Sequence, residues 1–165
     1  MTTIAFDGNM LAADSQTTQG DYRLSLHAQK IFQPAVGENW WAMGQRVVAY
    51  GVAGTLQGWH YLRDALAGFN GLSVNTTFPK GVVVSYLVVT EAGEVYAGGQ
   101  YENDNVAWLT KVSAPIAVGS GAEFAMGAMA QGATAAQAVE IAARFDVNTG
   151  GAVQVLHPVK SPITD

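Results

Sequence analysis

Cysteine is missing altogether from the 165 residues, and with it any disulfide frame, thiolate nucleophile or cysteine-held metal. Charge is scarce as well. Charged residues make up 13% of the chain, 8 basic against 13 acidic, for a net charge of −5. No Lys/Arg cluster interrupts that balance, which argues against a phosphate-binding surface and against nucleic acid as a partner. The longest apolar run, around Val82 to Val89, is too short to cross a bilayer, so no membrane association is expected. Nor does the chain open on a basic segment followed by an apolar core, which leaves the cytoplasm as the default compartment. His27, His60 and His157 have no metal-ligand spacing, and no cofactor or metal is expected.

What the chain has is apolar residues, 49% of it, at a length near the modal domain size. That predicts one domain, 1–165, with a sizeable core, and a surface partly covered by other subunits. Asp7-Gly8-Asn9 between short apolar runs predicts a hairpin of Thr3 to Phe6 with Met10 to Ala13. After a polar loop from Ser15 to Asp21, Leu24 to Phe32 alternates as a strand, with Leu24, Leu26, Ala28 and Lys30 on one face. Trp40 to Met43 and Val47 to Ala53 read as strands. Thr55 is the expected cap of a helix whose apolar stripe is Leu56, Trp59, Leu62, Leu66 and Phe69. Val82 to Thr90 and Val95 to Ala97 form a further hairpin, and Pro115 to Val118 a short strand. An Ala- and Met-rich helix then runs to about Ala130, and Thr134 with Gln137 makes a capping box for another that ends near Phe145. Ala152 to Leu156 is the last expected strand, before a tail with Pro158 and Pro162. Two strand runs and two helix groups fit a layered α+β domain.

The chemistry concentrates at the front. With Met1 removed, Thr2 carries a hydroxyl nucleophile and a free α-amine on one residue. An α-amine with an ordinary pKa of about 7.7 to 8.0 accepts a proton near neutrality, so the pair is self-activating. Downstream, in order, come Ala13-Asp14-Ser15-Gln16-Thr17-Thr18, Gln29-Lys30-Ile31, Val52-Ala53-Gly54-Thr55, Val118-Gly119-Ser120-Gly121 and Asp146-Val147-Asn148-Thr149-Gly150-Gly151. Together with Thr2-Thr3-Ile4 these blocks resemble the proteasome β-subunit family. Its N-terminal-nucleophile threonine peptidases include the bacterial two-ring peptidase that works with an AAA+ unfoldase.

The resemblance implies a four-layer αββα sandwich, and a threonine endopeptidase acting on polypeptides in a self-compartmentalising homo-oligomeric ring or stacked rings, with an AAA+ unfoldase as partner. It makes Thr2 the nucleophile, Lys30 the ammonium beside it, Asp14 the acid that holds Lys30, and Gly54 the oxyanion donor through its N–H. Ser120, Asp146 and Thr149 form the polar group around the amine, with Thr149 where the family usually has Ser. Thr17, Thr18, Ala28, Phe32, Val52 and Leu56 fall where the family lines its substrate channel and first specificity pocket.

Two intervals depart from the family in length. The chain is longer between Lys30 and Gly54, with Pro34 to Arg46 in the extra piece. It is shorter between Leu56 and Val82, where a second long helix usually lies, which implies a shortened outer helical layer. Two other readings remain open at this point. The same Thr2 chemistry serves an amidohydrolase acting on a small amide, and a chain retaining Met1 would be a non-catalytic ring or scaffold subunit.

Overall fold

In the computed structural model, which describes residues 2–104 and 107–158, Asp7 closes the first turn with its own side chain. One carboxylate oxygen accepts from the N–H groups of Asn9 and Met10, both at 2.8 Å. Strands β1 (Ile4–Phe6) and β2 (Leu11–Ala13) therefore pair antiparallel, with Phe6 opposite Leu11 and Ile4 opposite Ala13. Met1 and Pro162 lie outside the described residues.

A hairpin of β3 (Thr17–Gln19) and β4 (Tyr22–Ser25) follows, then β5 (Ile31–Phe32), β6 (Trp41–Ala42), the long β7 (Gln45–Gly54) and helix α1 (Gly58–Ala67). The chain continues through β8 (Val84–Thr90), β9 (Val95–Gln100), β10 (Trp108–Val112), β11 (Ile116–Val118), helices α2 (Ala122–Ala130) and α3 (Ala135–Phe145), and β12 (Gln154–Leu156). The fold is α+β. One sheet has the order β11-β1-β2-β12, and the other β10-β9-β8-β7-β5, with β6 beside β7.

Side-chain alternation divides the interior into clusters. On β8, Val84, Tyr86 and Val88 pack with Leu62 and Leu66 of α1, while Leu87 and Val89 meet Ile4, Phe6 and Leu11 of the other sheet. Burying each of those leucines is worth about 1.5 to 3 kcal/mol. A register shift between Val47 and Ala49 lets β7 keep both Val47 and Tyr50 on the α1 side. The opposite face of the first sheet buries Ala5, Ala12 and Ala117, whose small size lets α2 and α3 pack closely. Helix α3 begins at the expected capping box, with Thr134 and Gln137 each bonding the other's backbone N–H.

Several expectations change. Leu24 to Phe32 is not one strand, because side chains take over the backbone groups between β4 and β5. The Gln154 amide donates to the Ala28 carbonyl at 2.6 Å and accepts from the Lys30 N–H at 3.1 Å, and the Ala28 N–H goes to the Ser15 carbonyl at 3.0 Å. Thr55 caps no helix. Its hydroxyl accepts from the Val83 N–H at 3.0 Å, and α1 starts three residues later with no side-chain cap. Leu56 and Phe69 fall outside α1, and Phe69 is fully exposed. Between α1 and β8 the described chain forms turns and no second helix. Strand β10 and the β3–β4 hairpin had no counterpart in the sequence reading.

Candidate active site

Thr2 lies two residues before β1, only 2% exposed. Residues from five separate stretches close around it. The break between β4 and β5 turns Lys30 inward, so its side chain does not snorkel to water as a strand-edge lysine does. Its ammonium donates to Thr2 Oγ1, to the Gln16 carbonyl and to Asp14 Oδ1, the last at 2.8 Å. Asp14 itself follows β2 and is fixed from several sides. Its carboxylate accepts from the N–H groups of Thr3 at 3.2 Å, Gln16 at 3.3 Å and Gly150 at 3.0 Å. Burial pulls the Lys30 ammonium below its usual pKa range, and the Asp14 charge and hydrogen bond oppose that pull.

A second network meets the nitrogen of Thr2. That nitrogen donates to Ser120 Oγ at 3.0 Å, and Ser120 donates to Asp146 Oδ2 at 2.6 Å. The Thr149 hydroxyl donates to the same carboxylate oxygen at 2.6 Å. With its proton committed there, Thr149 Oγ1 accepts from the Thr3 hydroxyl at 2.8 Å. Partial burial works against ionisation of Asp146, yet the Ser120 and Thr149 hydroxyls and the Asn148 N–H outweigh it and hold the carboxyl below its ordinary range. Asp146 follows α3 directly, and its N–H donates to the Ala142 carbonyl at 2.8 Å, so the helix positions it. Ser120 rides on a turn that only glycine permits. A Cβ on Gly119, where φ is +101°, would lie 2.0 Å from the Thr2 carbonyl oxygen.

Beside Thr2 opens a cavity of about 550 Å³. Thr2 and Lys30 line it together with Gly54 and with Thr17, Thr18, Ala28, Phe32, Val52 and Leu56. All the expected pocket residues thus share one space, while Ser120, Asp146 and Thr149 stand at the nitrogen side of Thr2, outside it. Gly54 has φ +113°, and a Cβ there would meet the Val83 carbonyl at 2.1 Å. Gly54 lines the cavity with backbone alone, since it has no side chain.

The sequence reading missed part of the wall. Gln29, Trp59 and Arg63 also line the cavity. Trp59 and Arg63 are four residues apart on α1 and so share a helix face, a spacing that was present in the sequence. Gln16 and Gln154 were passed over as well. Gln16 is 2% exposed and its amide ties Thr18 Oγ1 to the Val147 carbonyl. Gln154 bridges Asp14, Ser15 and Ala28. A glutamine within an otherwise apolar strand was the available signal for it. The histidines are exposed and none lines the cavity, and the described residues hold no cluster of metal-ligating side chains. No helix among them is long and apolar enough to cross a membrane.

No protein-family model matches the chain, and no curated protein matches it in sequence. Solved structures do match. Thiobacillus denitrificans BPH is 19% identical, with 98% of each chain covered and a TM-score of 0.64. The same protein in complex with epoxomicin is 18% identical over 96% of this chain and 99% of that one, with a TM-score of 0.58. The Anbu complex from Pseudomonas aeruginosa, solved as a helical assembly, is 12% identical over 94% of this chain and 80% of that one, at a TM-score of 0.55. The chain shares the α+β fold of these proteins.

Proposed function

We propose that the chain, once Met1 is removed, is a threonine-type endopeptidase acting on polypeptides in the cytoplasm as a subunit of a homo-oligomeric ring. The reading rests on one observation. An ammonium at the Thr2 hydroxyl, a hydroxyl-carboxylate pair at the Thr2 nitrogen and an open cavity all meet at a single residue.

The α-amine of Thr2 accepts the hydroxyl proton while Oγ1 attacks the substrate carbonyl carbon. Lys30 donates to that oxygen and so favours its alkoxide form, and Asp14 keeps the lysine charged in its buried place. Negative charge that builds on the substrate oxygen is met by the Gly54 N–H. The amine, now protonated, passes its proton to the leaving nitrogen as the C–N bond breaks. Water then hydrolyses the Thr2 ester by the same route in reverse. Ser120, oriented by ionised Asp146 with Thr149, presents an oxygen lone pair to the amine throughout.

The proposed architecture is a single four-layer αββα domain, thinned where the second outer helix is missing. Binding of epoxomicin by Thiobacillus denitrificans BPH and the helical assembly of the Anbu complex support the peptidase and oligomer readings. An AAA+ unfoldase is the partner class that would feed a closed ring.

Intact mass and cleavage of fluorogenic peptides, each compared with Thr2→Ala, test the proposal, with epoxomicin as a probe. Expected are loss of Met1, peptide cleavage abolished in the variant, and inhibition of cleavage by epoxomicin. A retained methionine, or activity confined to small amides, overturns it.

A further inference from the structure

The cavity beside Thr2 carries two cations on its wall, Lys30 and Arg63, and each has a carboxylate of its own. Glu38 holds Arg63 with both oxygens, to Nε at 2.9 Å and to Nη2 at 2.7 Å, and also accepts from the Trp40 indole N–H. Glu38 itself stands outside the wall, so it acts through Arg63. It lies in the stretch from Pro34 to Arg46. Trp40, 2% exposed and 5.1 Å from the Tyr50 ring, anchors that stretch to the core.

Next to Arg63 the wall is aromatic. Phe32 stacks on Trp59 with centroids 5.7 Å apart and planes 20° apart, and Tyr50 stacks behind Phe32 at 5.0 Å. The Tyr50 hydroxyl donates to the Trp59 carbonyl at 3.1 Å, which ties the stack to the start of α1. A flat apolar side chain finds a fixed face to lie against. A carboxylate entering the same space must lose water and compete with Glu38 for the guanidinium.

We propose that Glu38 is the positioning residue that sets specificity: by engaging Arg63 it makes the cavity select an aromatic side chain before the cleaved bond and reject an acidic one. The proposal rests on the peptidase reading for its word "cleaved", but not for its statement about the cavity. Removing the Glu38 charge leaves Arg63 a cation in search of a partner, and an acidic side chain supplies one.

The test compares N-capped fluorogenic peptides that carry Phe or Asp before the fluorophore, on the assembled protein and on Glu38→Gln and Glu38→Gln/Arg63→Gln. Gln retains an acceptor for Trp40, so the melting temperature should fall by no more than about 4 °C. The wild type should favour Phe; Glu38→Gln should raise the Asp-to-Phe ratio of kcat/KM by up to about fivefold, through KM, and the double variant should restore it. An unchanged ratio in Glu38→Gln, or a wild type that already prefers Asp, overturns the proposal. If the wild type cleaves neither peptide, the peptidase reading fails on its own. The cavity is then read by calorimetry with acetylated tripeptide amides ending in Phe or Asp, on Thr2→Ala with and without Glu38→Gln. Reversal of their Kd order supports the assignment, and equal or no binding overturns it.

Discussion

Two ion pairs flank the cavity at nearly the same separation, 2.8 Å for Lys30 with Asp14 and 2.7 Å for Arg63 with Glu38, yet they belong to different physical regimes. The side chains of the first pair are 7% and 1% exposed, and those of the second 45% and 19%. Burial makes each partner of the first pair a liability without the other, while water screens the second. In the proposed peptidase one pair holds the reacting centre together. The other sets what enters.

The largest effect is expected from Asp14→Ala. Without that carboxylate, the Lys30 ammonium keeps only the Thr2 hydroxyl and the Gln16 carbonyl, both neutral. Removing one partner of a buried pair costs about 3 to 5 kcal/mol, which denaturant unfolding measures, and peptide cleavage should vanish with it. Lys30→Met is expected to be milder for stability, at about 1 to 3 kcal/mol, because Asp14 still accepts from the Thr3, Gln16 and Gly150 N–H groups. Its turnover should nonetheless fall close to that of Thr2→Ala. Equal stabilities for the two variants would show that the backbone donors do not sustain Asp14, and full activity of Lys30→Met would remove the lysine from the mechanism.

Gly54→Ala comes next. It forces a Cβ to within 2.1 Å of the Val83 carbonyl at φ +113°, so β7 must shift where it meets the cavity. Displacing an oxyanion donor lowers kcat by about a hundred- to a thousand-fold. Little change in kcat, with the fold intact, would place that donor elsewhere.

Much of this centre was legible in the chain, through the resemblance of short blocks and not through period or propensity. Asp14, Lys30, Gly54, Ser120 and Asp146 each sit in a short block with its own turn glycine or flanking polar residues, and the structure gathers those blocks around Thr2. Helix α3 was equally open, since Thr134 and Gln137 cap it from within one turn. The cavity rim was not. Glu38 and Arg63 are 25 residues apart and meet only because Trp40 is anchored beside Tyr50. Strand alternation likewise ran past Lys30, because the side chain that ends the strand, Gln154, lies 124 residues away. Period and propensity report neighbours along the chain; long-range side-chain capture leaves no such trace.

Ser120→Ala probes the half-exposed network that the ion-pair contrast leaves out. Asp146 has a folded pKa below its unfolded one, so as pH falls below about 4 the unfolded chain takes up the proton first. Its contribution to stability is therefore full above about pH 4 and is lost as pH drops through the folded value. Removing the Ser120 donor raises the folded pKa and shrinks that contribution. Wild type and variant should differ in melting temperature at neutral pH and converge on the acid side. Parallel curves down to pH 3 would deny the hydroxyl its part in holding Asp146 ionised.

The smallest effect belongs to the exposed pair, and salt sharpens the contrast best. A double-mutant cycle of Glu38→Gln with Arg63→Gln should yield about 0.2 to 1 kcal/mol of coupling in dilute buffer. Raising NaCl to about 1 M shortens the screening length to about 3 Å, and the coupling should approach zero. The corresponding cycle between Asp14 and Lys30 should keep most of its value, since a pair this buried is screened much less. Were both couplings to fade alike, exposure would not be what separates the two pairs, and the division between a pair that holds and a pair that selects would have to rest on geometry alone.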